Sequence, residues 1–272
     1  MKKLLYYTKR YFYKSKKLAL RELRCFLKIK NYIGLLIKLY SNKKQDTILC
    51  EIKKMKILLS KKWGDLQTLK EVFCEDYYFN KFIDLKKIST IADLGGHKGY
   101  VSLLYAGLIP NIKIVSLEPE EENYLIFEEN IKNNSLKNAI TLLKNAIWSK
   151  DCTKTFYKTK NYSAGHTLYK THLEQQEKIA HEVKCLSLSS VLKKSGFNKI
   201  DLLKIDVEGA EYEVLFKLEK SILRNIKYIL IECHRIDNNS DQDIKEFLEK
   251  NGFEPHYIYN YESVIVAINK SI

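Results

Sequence analysis

What this chain has little of narrows its class before any motif is read. Its six cysteines, Cys25, Cys50, Cys74, Cys152, Cys185 and Cys233, form no C-x-x-C pair and no finger spacing with histidine. A metal finger therefore lacks its ligands, and a reduced, cytosolic protein is the simplest expectation. The longest apolar run near the start, "YIGLLI" at residues 32–37, falls far short of the roughly 20 residues that span a bilayer. The opening "MKKLLYYTKRYFYKSKKLAL" is broken by Lys every few residues and leads to no small-residue cleavage site, so it does not read as a signal peptide. There are no repeats and no low-complexity tract.

Acids are scarce in one place only. Residues 1–62 hold 19 Lys and Arg against 3 Asp and Glu, a net of +16, whereas the other 210 residues hold 28 against 30, a net of −2. The basic character belongs to the N-terminal segment, and the remainder has a near-neutral surface unsuited to gripping long nucleic acid. Within that segment Leu4, Tyr7, Tyr11, Leu18, Leu23, Phe26 and Leu27 recur at mixed helical spacings among the cations, which predicts helices with a basic outer face. Two roles stay open for it: a solvated or oligomerising extension, or a surface that meets an anionic membrane or another polyanion.

At 272 residues, one large domain with an extension fits as well as two small domains. The rhythm of the chain favours the former. From about residue 88, short apolar strands alternate with helical stretches, the signature of a parallel sheet covered by helices. Strands are expected at 88–94, 112–118, 139–148, 200–206 and 226–232, and helices near 98–108, 121–133, 187–195, 209–220 and 240–251. "FEPHYIYNYESVIVAIN" should close the sheet with an antiparallel hairpin, and residues 150–185 fit a hairpin followed by a mobile loop. The expected division is a basic helical extension at 1–62 and one α/β domain at 63–272.

"IADLGGHKGYVSLLYA" places a strand, then D-x-G-x-x-x-G, then a helix. Gly95 and Gly99 allow a tight turn and close approach of a ligand to the backbone. A dinucleotide site would want G-x-G-x-x-G here; instead Asp93 precedes the first glycine, where a carboxylate suits an ammonium or sulfonium and repels phosphate. Glu118, ending the next strand, can accept both hydroxyls of a ribose, and Asn145 with Ala146 are placed to touch an adenine. Ribose, adenine and a cationic amino acid together describe S-adenosylmethionine.

"KIDVEGAEYEV" at 204–214 brings Asp206, Glu208 and Glu211 to the end of an apolar strand. In an open parallel sheet, ligands bind beyond the carboxyl ends of the strands near the point where strand order reverses, so Asp206 should face the reacting centre. Glu208 and Glu211 also suit a helix start. The strand ending "ILIECHR" puts Glu232 and His234 on one face, and Asp206, Glu232 and His234 are expected to converge. Three arrangements are open: His234 as base, Asp206 as base, or a hard divalent ion held by Asp206, Glu232 and His234. These side chains can equally pair with Lys204 or Arg235.

"DLGGHKGYVSLL", "SLEPEEENYLIFEENIKNN", "KNAIW" and above all "DLLKIDVEGAEYEVL" resemble the FkbM-type S-adenosylmethionine-dependent methyltransferases over about residues 63–234. The resemblance implies a class I methyltransferase (Rossmann-like) fold, a seven-stranded mostly parallel sheet of order 3-2-1-4-5-7-6 with the seventh strand antiparallel. It implies Asp93, Gly95, Gly99 and Tyr100 on the cofactor turn, Glu118 on the ribose, and Asn145 and Ala146 near the adenine. The "GGHKG" turn departs from the family's usual small pair and sets His97 and Lys98 beside the cofactor loop. Asp206, His234 and Glu208 are the expected catalytic residues; His166, Tyr162 and Glu211 are the expected substrate contacts.

The activity implied is O-methylation of a sugar hydroxyl, on a nucleotide-linked sugar or a surface polysaccharide precursor. Another small hydroxyl acceptor is the alternative. A nucleic-acid methyltransferase using the basic arm is disfavoured by the near-neutral catalytic part and the absence of an N/D-P-P-Y/F stretch. The expected setting is cytoplasmic, with contact of the basic arm with the inner membrane face and oligomerisation both left open.

Overall fold

The basic N-terminal segment does not stay helical. The computed structural model describes residues 19–41, 46–61, 64–75, 78, 81–159, 165–169, 178–258 and 261–272. Helix α1 (19–28) leads through β1 (Ile29–Lys30) to α2 (Tyr32–Tyr40), and then β2 (Thr47–Ile52) and β3 (Met55–Ser60) pair as an antiparallel hairpin with β1 at the far edge. Of the helices expected over 1–62, 19–28 and Tyr32–Tyr40 are present, 47–60 is a strand hairpin instead, and Leu4, Tyr7, Tyr11 and Leu18 lie outside the described residues. Ile48, Cys50 and Ile52 are buried at a spacing of two, as are Ile57 and Leu59, the period of a half-buried strand. Lys53 (φ 48°) and Lys54 (φ 70°) both take the left-handed conformation, which suits the twist of a two-residue hairpin turn.

The rest of the chain follows the expected alternation: α3 (Asp65–Cys74), β4 (Thr90–Leu94), α4 (Tyr100–Leu108), β5 (Lys113–Leu117), α5 (Glu121–Asn133) and β6 (Ile140–Leu143). Next come β7 (Ala146–Ile147), β8 (Cys152–Thr159), β9 (Lys178–Leu186), α6 (Leu188–Ser195) and β10 (Ile200–Ile205). The chain ends with α7 (Glu211–Phe216), α8 (Lys220–Arg224), β11 (Ile226–Glu232), α9 (Asp241–Lys250), β12 (Phe253–Ile258) and β13 (Tyr261–Asn269). Seven strands form one sheet in the order β6-β5-β4-β10-β11-β13-β12, with β13 antiparallel to both neighbours. This is the order 3-2-1-4-5-7-6. The strand expected over 139–148 divides: β6 stays in the main sheet, while β7 joins β9 and β8 in a separate three-stranded sheet. The helix expected over 209–220 breaks into α7 and α8.

Alternation along the strands makes two cores. Ile91, Ile114, Leu202 and Tyr228 point to the side covered by α3, α4, α5 and the N-terminal hairpin, and Ala92, Val115, Leu203 and Ile229 to the side covered by α6, α7 and α9. Ile29, Ile52, Ile57 and Leu59 belong to the first core together with Phe73, Tyr100 and Phe127, so that core continues across residue 62, where a domain boundary was expected. Burying each such side chain contributes roughly 1.5–3 kcal/mol. Strand β3 is fastened to α5 by Asn130, whose Oδ1 accepts from Leu58 N (2.7 Å), and by Asn134, whose Oδ1 accepts from Lys56 N (2.8 Å). These amides satisfy a strand edge that would otherwise be open. Among the described residues no helix is long and apolar enough to cross a membrane.

Strands β5 and β6 lie to one side of β4, and β10 and β11 to the other. The reversal of strand order therefore falls between β4 and β10, and the crevice beyond their carboxyl ends is the place where this architecture binds ligands.

Candidate active site

The glycine turn after β4 is shaped by close approach. Gly95 (φ 83°) lies where a Cβ would stand 1.8 Å from the backbone oxygen of Asp206, and Gly99 (φ 84°) where it would stand 2.1 Å from the Phe127 ring. The first glycine lets β4 and the carboxylate turn meet; the second lets α5 pack under the new helix. Gly95, Gly96 and Tyr100 line the pocket at this end of the sheet, whereas Gly99 lies outside its wall.

Lys98 corrects the sequence reading, in which both basic residues of the turn stand beside the cofactor loop. It is fully buried and reaches back to Asp65 at the start of α3 and to Ser60 Oγ (3.0 Å). Asp65 also accepts from Ser60 N (2.9 Å), so one carboxylate joins the end of the N-terminal hairpin to the glycine turn. His97 does line the pocket, at φ 50°. Burial, with Lys98 beside it, pushes its imidazole down to about 3, so the ring is neutral.

Asp93 is buried and outside the pocket wall. Its Oδ2 accepts from Ser102 Oγ (2.6 Å), and its Oδ1 lies 3.4 Å from Lys204 Nζ. The cation that the sequence reading assigns to a ligand is thus supplied by the protein. Register explains it: Lys204 on β10 pairs with Asp93 on β4. Lys204 also donates to Gly95 O (2.7 Å) and stands 3.3 Å from Asp206 Oδ2. Burial would lower its pKa, but Asp206 and Asp93 outweigh burial and hold it above the ordinary lysine value.

Glu118, just past β5, lines the pocket with Asn145 and Ala146. Its oxygens accept from His97 N (2.8 Å) and Glu120 N (2.9 Å). Burial pushes its carboxyl up to about 8 against those hydrogen bonds. Asn145 Nδ2 donates to Lys184 O (3.1 Å) on β9, which fixes the residue at the pocket edge.

The carboxylate turn after β10 sorts its three acids. Asp206 and Glu208 line the pocket; Glu211 does not. Glu211 is fully buried at the first position of α7, where its Oε1 accepts from Val207 N (3.1 Å) and meets His234 Nδ1 (2.8 Å). That placement replaces the substrate contact expected for it with a role in fixing the turn. His234 Nε2 stands 3.4 Å from Glu208 Oε2. Burial disfavours the charged ring, but Glu211 and Glu208 overcome it and push its pKa up to about 10, so His234 is an imidazolium at neutral pH. Burial likewise opposes ionisation of Asp206, yet Lys204 and His234 hold its pKa below the ordinary value.

Ligand atoms of Asp206, Glu208 and His234 lie within 4.8 Å of one another. Glu232 sits on the pocket wall outside that group. The metal-ligand set expected from the sequence therefore has Glu208 where Glu232 was placed.

Of the loop expected to move, residues 165–169 are anchored. Thr167 exchanges backbone hydrogen bonds with Tyr157 on β8, and its hydroxyl donates to the backbone oxygen of Glu208. His166 lines the pocket with Leu168 and Phe156, and Tyr169 packs against Trp148. Tyr162 lies outside the described residues. Sequence reasoning missed Thr68, Glu71 and Val72 of α3, which form another wall; nothing in their local pattern distinguishes them from an ordinary amphipathic helix. Lys204 lay inside the quoted motif, and its signal was a cation midway along an apolar strand.

A seven-stranded sheet in this order, with its pocket at the β4/β10 reversal, defines a class I methyltransferase fold. The chain belongs to the methyltransferase FkbM domain family, whose model matches residues 93–255. Among curated proteins it is 26% identical to methyltransferase sdnD of Sordaria araneosa, over 68% of this chain and 80% of that protein. It is 22% identical to the AMB antimetabolite synthetase AmbE of Pseudomonas aeruginosa, over 68% of this chain but only 10% of that much longer protein. A solved methyltransferase FkbM from Methylobacillus flagellatus aligns at a TM-score of 0.46 and 12% identity, covering 75% of this chain and 54% of that one.

Proposed function

We propose that the protein is an S-adenosylmethionine-dependent O-methyltransferase acting on a sugar hydroxyl, in a nucleotide-linked sugar or a polysaccharide precursor. One observation carries the reading: Asp206 and Glu208 open on the same pocket that Gly95, Gly96, Glu118 and Asn145 line. Three features of that pocket fit the cofactor. The glycine turn presents backbone without side chains, Glu118 offers a buried carboxyl at the position of a ribose acid, and Asn145 with Ala146 edges a slot for a base. When bound, S-adenosylmethionine supplies a methyl group on a positively charged sulfur.

The chain's own residues then have to orient a hydroxyl and take its proton. Asp206 is the proton acceptor, kept ionised by Lys204 and His234. Its depressed pKa makes it a weak base, so alignment, which can contribute several kcal/mol, carries more of the rate than basicity does. Glu208 is the second acceptor of hydrogen bonds from a polyhydroxyl substrate, and its left-handed backbone (φ 51°) is the kind of local strain that surrounding structure sustains at functional turns. His234 is a positioning residue: it neutralises the two pocket acids from behind and is itself fixed by Glu211. A divalent ion, if bound, would be held by the same Asp206, Glu208 and deprotonated His234, and the EDTA arm of the test separates that arrangement from the imidazolium.

The test is formation of S-adenosylhomocysteine with a panel of nucleotide sugars and of non-sugar hydroxyl acceptors, with and without EDTA. Turnover on a sugar, unchanged by EDTA, is expected. Turnover confined to non-sugar acceptors overturns the substrate class, and loss of turnover in EDTA overturns the role given to His234.

A further inference from the structure

The two N-terminal helices each carry a second apolar face that no part of the described protein covers. On α1, Leu23 is 54% exposed, Phe26 55% and Leu27 74%, while Cys25 on the other side is buried. On α2, Ile33, Ile37 and Tyr40 are 58%, 66% and 80% exposed, while Tyr32 and Leu35 are buried. The α2 residues recur at i, i+4 and i+7, a single stripe along the helix. Of the fourteen large hydrophobic side chains exposed among the described residues, eight fall within residues 20–49. Such concentration, unlike scattered surface leucines, marks a surface that something else covers.

We propose that this face docks on an anionic lipid bilayer. Charge selects the occupant. The stripes lie in a stretch, residues 19–41, that holds five Lys and Arg against one Glu, with Arg24 and Lys38 on the exposed surfaces of the two helices themselves. A second copy of the chain would set this positive face against its own image. A purely polar polyanion would leave the leucines, isoleucines and aromatics in water. Anionic headgroups over an acyl boundary satisfy both, as they do for basic amphipathic helices that lie in the interface plane. Helix α1 is tied to α3 by Glu22 on Lys70 Nζ (2.7 Å) and by Arg21 on Glu75 (3.4 Å). Since α3 turns Thr68, Glu71 and Val72 into the pocket, one helix separates the docking face from the proposed active site. The inference does not depend on the proposed acceptor or on the activity.

The experiment is flotation of the full chain with vesicles of phosphatidylcholine alone and with vesicles containing phosphatidylglycerol. Binding is expected only with the anionic lipid. It should weaken as salt rises and fall roughly tenfold or more in the triple variant Phe26→Ser, Leu27→Ser, Ile37→Ser. In a Phe26→Trp variant, which keeps the apolar face, the introduced indole should be quenched by brominated acyl chains. Flotation that fails, or an indole that stays unquenched while the Phe26→Trp protein is bound, overturns the proposal. So does capture by polyphosphate or a single-stranded oligonucleotide that the triple variant leaves unchanged, and so does a dimer that the triple variant dissociates.

Discussion

The turns that follow β4 and β10 meet where Gly95 lies against the backbone of Asp206, yet they are built on opposite principles. The first works by what it leaves out. Two glycines in the left-handed region make room, its histidine is held neutral, and its lysine is withdrawn into the core against Asp65. The second works by what it presents: Asp206 and Glu208 face the pocket, with buried Lys204 and half-buried His234 as counter-charges and Glu211 as a fixed support. In the proposed function, binding falls to a turn defined by absent side chains, and proton handling to a turn crowded with charge. Both contain one non-glycine residue with positive φ, His97 and Glu208, so the two turns bear local strain where they line the pocket.

Substitutions in the first turn should act on the fold as well as the site. Gly95→Ala forces a carbon against a backbone oxygen and imposes a left-handed alanine. The expected destabilisation is upwards of about 4 kcal/mol, seen as a collapse of the melting transition together with cofactor binding. Gly196→Ala is the control: its φ of 71° is also left-handed but nothing lies within 4 Å of the added carbon, so a cost of only about 1 kcal/mol is expected. Lys98→Met leaves Asp65 charged in the core, and denaturant unfolding should register roughly 3–5 kcal/mol lost. A full-strength fold in that variant would mean that the buried pair does not join the hairpin to the turn.

Changes in the second turn should alter the fold's response to pH. The His234 pKa rises from 6.5 to about 10 on folding. The folded state then holds this proton more tightly, so its contribution to stability is complete below pH 6.5 and is lost as pH rises through about 10. His234→Gln should flatten unfolding free energy measured across that window. An unchanged slope would show that the imidazole is not clamped between Glu208 and Glu211.

The same contrast explains what could be read from the sequence. The glycine turn, the acid after β5 and the alternating βα units were legible because their signals are local: a spacing of glycines, a carboxylate closing a strand, a period of two or 3.6. The hairpin of β2 and β3 was not, because two lysines occupy a turn where Asn-Gly is the usual sign, and the cations around it resemble a helix surface. Lys98 looked like a pocket residue since its partner Asp65 lies 33 positions away in sequence. Glu211 was read as a helix-start acid and a substrate contact, and its bond to His234 spans a further strand. Charge pairs made through tertiary contact, unlike turns, leave no periodic trace.

The division of labour is tested most directly by two variants measured side by side. Cofactor affinity by calorimetry and kcat at saturating acceptor should be determined for Glu118→Gln and Asp206→Asn. Glu118→Gln is predicted to weaken binding about tenfold or more by removing one acceptor oxygen, with little change in kcat. Asp206→Asn is predicted to retain the wild-type Kd and lose roughly 10²- to 10⁴-fold in kcat. Wild-type kcat in Asp206→Asn, or wild-type affinity in Glu118→Gln, would contradict the account.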